Sequence, residues 1–133
     1  MTTLYQECLD ALGSNIFIFN LEHSTQKAEK IFKSFKLTSW GRVDWSTKET
    51  LFQSNNFNDF LSELHKRNFL NDKCLLLWGD MSLPVLATDV ASIVNNRDDV
   101  TAVSFDTYVF IENKSVLIEF WHDGMITIGI AKE

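Results

Sequence analysis

TAVSFDTYVFIENKSVLIEFWHDGMITIGIA, residues 101–131, alternates apolar with polar side chains and is interrupted twice by turn-forming residues. A period of two is that of a β-strand. It predicts three strands, at about Thr101–Glu112, Ser115–His122 and Met125–Ala131. Asp123-Gly124 is a strong two-residue hairpin signal, because both central positions of such a turn need positive φ. Asn113-Lys114 is a weaker candidate for the other turn. Together the turns set the register and hence the faces. One face gathers Val103, Phe105, Val109, Ile111, Val116, Ile118, Phe120 and Met125 as core. The other holds Asp106, Tyr108, Phe110, Leu117, Glu119, Trp121, Ile126, Ile128 and Ile130, with Glu119 beside Tyr108 and Ile128, and Asp106 opposite Trp121.

Upstream, helix and strand signals alternate. Leu4, Tyr5, Cys8, Leu9 and Leu12 recur at helical spacing, and Gly13 follows as a stop. Residues 15–20 read as a short buried strand. Ser24 or Thr25 can cap a second helix whose apolar face is Ala28, Ile31, Phe32 and Phe35. Thr38–Trp45 reads as a strand, and Asn56 can cap a third helix bearing Phe57, Phe60, Leu61 and Leu64. Cys74–Trp78 is an apolar strand. Ser82 is a cap for a fourth helix with Leu86, Val90, Ile93 and Val94 inward, ending at Asn95-Asn96. The expected fold is α+β: a mixed sheet ending in a three-stranded antiparallel meander, with about four helices packed on it.

At 133 residues the chain is expected to form one domain over 1–133, large enough to bury a core without staples. A hydrophobic fraction of 45% and eleven Phe exclude a disordered acidic tail. The N-terminus lacks a basic segment followed by an apolar one, and no apolar run approaches the ~20 residues of a membrane span. Cys8 and Cys74 stand apart with no CxxC spacing, as reduced thiols do. These features predict a cytoplasmic protein.

The charge is uneven. Residues 1–71 balance, whereas residues 72–133 carry Lys73, Arg97, Lys114 and Lys132 against ten acidic side chains, which accounts for the whole net charge of −6. Nucleic acid is a poor partner for such a chain, since the one basic stripe, Lys27/Lys30/Lys33/Lys36, is an ordinary solvated helix face. No nucleotide-binding, P-loop or nucleophile-elbow motif is present. His23, His65 and His122 have no metal-ligand spacing, and neither cysteine has a base beside it. No catalytic residue, cofactor or metal is therefore predicted. What remains is a set of acidic and aromatic side chains suited to a basic partner: Asp98, Asp99, Asp106, Glu112, Glu119 and Asp123 for charge, Tyr108 and Trp121 for contact area. A helix covering their face would instead make the two aromatics core. The first half can also offer anchors, in Asp44 and Trp45, and so can Asp80. Two other readings stay open: a small-ligand binding module with an apolar pocket, and an enzyme using paired carboxylates.

Leu75-Leu76-Leu77-Trp78-Gly79-Asp80, Val100 to Asp106 and Ile118 to Gly129 resemble small acidic bacterial immunity proteins of contact-dependent growth inhibition and related polymorphic toxin systems. The resemblance lies in strand, turn and aromatic placement. It implies a non-enzymatic inhibitor that binds the C-terminal domain of a cognate toxin, a nuclease with a basic cleft, in the cytoplasm and occludes its active site. It carries no shared catalytic residues.

Overall fold

A computed structural model describes residues 2–39 and 42–131. One seven-stranded sheet runs through it. The elements in chain order are α1 (Leu4–Leu12), β1 (Phe17–Ile18), α2 (Leu21–Ser34), β2 (Glu49–Ser54), α3 (Phe57–Lys66), β3 (Lys73–Trp78), β4 (Leu86–Asp89), α4 (Val90–Asn95), α5 (Arg97–Thr101), β5 (Thr107–Ile111), β6 (Val116–Phe120) and β7 (Ile126–Ile130). Strand order is β1-β4-β3-β5-β6-β7-β2. The α+β class is as expected, but each pairing is antiparallel, so the sheet is not mixed.

Both faces of the sheet are covered. Helices α1, α3, α4 and α5 bring Cys8, Leu12, Phe60, Leu64, Ile93 and Val100 onto one face, against Leu76, Trp78, Val109, Ile118 and Ile128. On the other face α2 sets Ile31 and Phe35 against Leu75, Leu77, Tyr108 and Leu117, joined by Val43. A strand buried on both sides needs apolar residues in succession, which Leu75-Leu76-Leu77-Trp78 supplies.

Local signals hold where caps are explicit. Asn56 accepts from the Asp59 N–H at the start of α3, and Gly13 closes α1 at φ 73°. Others yield to stronger competitors. Asn20, not Ser24 or Thr25, caps α2 by accepting from the His23 N–H. Ser24 lies inside the helix, where its hydroxyl accepts from the Val85 N–H at 2.9 Å. Leu86 belongs to a strand: the expected fourth helix begins only at Val90, capped by Asp89. Phe17 and Ile18 are exposed on an edge strand instead of buried. The expected strand over 38–45 lies partly outside the described residues, at 40 and 41; its described part makes one bridge, Leu37 to Val43, before a 3-10 turn at Trp45–Thr47.

The last hairpin differs in a way that matters. The first turn gives the anticipated pairing of Ile111 with Val116. At the second, the Gly124 N–H donates to the Trp121 carbonyl and the Trp121 N–H to the Met125 carbonyl, each at 2.9 Å. His122-Asp123-Gly124 is thus a three-residue loop, with only Gly124 at positive φ, 97°. The extra residue slips β7 by one, so Glu119 faces Thr127, and Ile126 and Ile128 pair with Phe120 and Ile118. Ile126 and Ile128 enter the first core instead of lying beside Glu119. Burying each such side chain is worth about 2 kcal/mol, enough for packing to override a two-residue turn signal. The strand expected from Thr101 starts at Thr107, because α5 occupies Arg97–Thr101 and residues 102–106 form a loop. Phe105, expected in the core, is 82% exposed.

Candidate partner interface at one end of the sheet

Four strands share one end of the sheet: β3 leaves at Trp78, β5 enters at Thr107, β6 leaves at Phe120 and β7 enters at Ile126. The connecting segments and α5 surround an open groove of about 860 Å³ there. Its walls include Phe57, Asp98, Val103, Phe105, Trp121 and Met125, with Asp80 at the lip. The Gly79 N–H donates to the Asp106 carbonyl at 2.9 Å, tying the segment after β3 to the segment before β5.

The predicted contact residues divide into three groups. Asp98, Asp106, Trp121 and Asp123 come together at this end, and Asp99 follows Asp98 on α5. The Asp98 side chain is 92% exposed, beside the Arg97 Nε at 3.3 Å. The Arg97 guanidinium lies 3.8 Å from the Phe57 ring centre, so it covers an aromatic face as well as pairing with Asp98. Asp106 is tucked in: its Oδ1 accepts from the His122 N–H at 3.2 Å and lies 3.0 Å from Nδ1 of the same ring. Asp123 sits at the hairpin tip, where it accepts from the Met125 N–H at 2.9 Å.

Glu112 is exposed but stands at the opposite end, in the 3-10 turn after β5. Near that end Lys114 bridges to Asp72 and donates to the Asn68 carbonyl. A single contact surface around the groove does not include Glu112.

Tyr108 and Glu119 form the third group: both are buried, at 1% and 0%, so the covered-face alternative holds for Tyr108 but not for the half-buried Trp121, and Glu119 is not exposed for contact as expected. Helix α2 and residues 42–45 close over their face, with Phe32 edge-on to Tyr108 at 5.1 Å. The Glu119 carboxylate accepts from the Val43 N–H at 2.7 Å and the Trp45 indole N–H at 3.0 Å, and the Arg42 Nε lies 3.5 Å away. Desolvation, helped by the Asp106 charge, pushes its pKa above the ordinary glutamate value; the two hydrogen bonds and the Arg42 charge work against that rise. Glu119 is an internal staple for the segment crossing the sheet, and not a contact residue.

The sequence reading missed Phe105, His122, Arg42 and Arg97 at this end. Phe105 was hidden by a period-two pattern that continues through the loop. Asp98-Asp99 just after Asn96 was a usable sign of a helix first turn. Among the described residues, no group of three or more His, Cys, Asp or Glu is placed to hold a metal ion. No helix among them is long and apolar enough to cross a membrane.

Residues 2–129 match a family model described as CdiI immunity protein EcoliA0-like. The match extends well beyond the C-terminal stretch that carried the resemblance in the sequence. No significant match is found among curated proteins.

Proposed function

Because the chain belongs to the CdiI immunity protein family, we propose that it neutralises a cognate toxin domain in the cytoplasm by binding over the toxin's active site, without catalysing a reaction. The supporting observation is the end of the sheet just described, where exposed carboxylates of α5 and the last hairpin flank a groove with aromatic walls. A nuclease is the toxin class this surface suits. Its cleft must hold a polyanion and is therefore basic, so an acidic protein can associate quickly and fill the same space. The groove is mounted on strand ends fixed by two packed cores, so little ordering entropy is lost on binding.

The test is to mix the protein with the toxin domain encoded beside its gene, then measure complex formation and residual toxin activity. The expected result is a stoichiometric complex that abolishes activity and weakens as salt rises. A toxin that binds with full activity retained would overturn active-site occlusion; absence of binding would overturn the role itself.

A further inference from the structure

Four π-bearing side chains form a continuous row, three of them lining the groove. Phe105 meets the His122 ring at 5.8 Å and 63°, and His122 meets Trp121 at 4.6 Å and 39°. The Arg42 guanidinium lies 5.4 Å from the Trp121 ring. A carboxylate pins each half of the row: Asp106 holds His122, and Glu119 holds Arg42. The two carboxylates are 13% and 0% exposed, so the row is preorganised by one half-buried and one buried pin. At its outer end Phe105 is left 82% exposed, more than any other large apolar side chain of the described residues. It contributes little to the fold, and its exposure is not explained by packing. Asp80 and Asp98 line the groove with it, Asp98 beside Arg97, and on its other side Phe105 lines a smaller cleft with Asp80, Met81 and Asp106.

We propose that Phe105 is the anchor of the toxin interface and receives an arginine side chain from the partner's basic surface; this rests on the immunity reading above. An aromatic face bordered by carboxylates matches a guanidinium, which stacks on the ring and pairs with the acids. A nucleobase would also stack, but the surrounding carboxylates repel its phosphate.

The experiment measures affinity for the toxin domain encoded beside the gene, and thermal melting, for variants at 105. Phe105→Ala should weaken binding by roughly 30-fold or more, as hot-spot truncations do, with melting unchanged. Phe105→Trp should stay near wild type. Phe105→Leu should lose most of the affinity, because it keeps apolar area but no π face. Phe17→Ala, at an exposed Phe on the β1 edge, should match wild type. If Phe105→Leu binds like wild type, the arginine contact is wrong. If Phe105→Ala does, while charge reversal at Asp98 and Asp123 weakens binding, the anchor is wrong and the acidic interface stands. If the wild-type protein does not bind the toxin, the immunity reading falls first. Binding of a single-stranded oligonucleotide, read by Trp fluorescence, would overturn the choice of a protein partner.

Discussion

The indole of Trp45 lies against Gly129, with no room between them. A Cβ built on residue 129 would fall 2.8 Å from Cε3 of Trp45, closer still to Cζ3, and 3.1 Å from the Glu49 carbonyl oxygen. β7 therefore needs a residue without a side chain at this position, so that Trp45 can reach Glu119. Gly129→Ala should destabilise the fold by about 2 kcal/mol, the usual cost of overpacking a tight site. Thermal or denaturant melting measures this, and a variant as stable as wild type would show that the indole can move aside freely.

Glu119→Gln tests the internal staple. An amide offers one acceptor where the carboxylate offers two, and it turns an N–H₂ toward the donors on Val43, Trp45 and Arg42. Loss of about 3 kcal/mol is expected, as when one partner of a buried charged network is removed. The effect on toxin binding should be smaller than the effect on stability.

The same carboxyl predicts a pH dependence. Burial raises its folded pKa above the ordinary glutamate value, so the native chain holds this proton longer than the unfolded chain does. The associated stability is full below the ordinary value, declines as pH climbs to the raised folded value, and is flat beyond it. Glu119→Gln lacks that titration. The melting difference between wild type and variant should accordingly narrow with rising pH across this window, then hold. A gap that widens there would contradict the desolvation argument.

Charge reversal separates the two ends of the sheet. Asp98→Lys and Asp123→Lys should each weaken toxin binding about tenfold at low salt, mostly through the association rate, with the loss shrinking as salt rises. Glu112→Lys, at the far end, should leave affinity within about twofold of wild type. An equal loss at Glu112 would move the interface away from the groove.

The thiols should be inert in the folded chain. Cys8 and Cys74 are buried, and burial pushes Cys8 up to about 11, with the Asp99 charge adding to the rise. Cys74 is raised further by the same desolvation. At pH 8 neither offers much thiolate, so a thiol reagent should label both only at the rate of unfolding. Fast native labelling of Cys8 would mean that α1 lifts from the sheet.

Much of this architecture was legible because local and global preferences agree. The spacing of Leu4, Cys8 and Leu12, the Asn56 cap and the run Leu75–Trp78 each describe an element that packs as its pattern asks. Failures occur where distant contacts decide. Residues 49–54 were not read as a strand because β2 is a half-exposed edge, held chiefly by its pairing with β7. Leu86 fits a helical face with Val90 and Ile93, yet pairing with Leu76 places it in β4. At the candidate site, the carboxylates of α5 and of the hairpin could be read from the chain. The burial of Tyr108 under a covering helix was one of the two readings left open; that of Glu119 could not be read, since it depends on residues 42–45 crossing the sheet from far away in sequence. Phe105 was misassigned because alternation persists through a loop that no longer pairs.

The three-residue loop His122-Asp123-Gly124 behaves like a reading frame for the end of the chain. Exchanging Asp123 for another residue would disturb only the tip, whereas closing the chain as a two-residue Asp123-Gly124 turn would shift every later residue by one place. Ile126, Ile128 and Ile130 would then rotate toward Trp45, and Thr127 and Gly129 would be offered to the core in their stead. In relatives that share this loop, position 124 should therefore stay glycine, because its φ of 97° disfavours any residue with a side chain, while the residue at 123 is free to change.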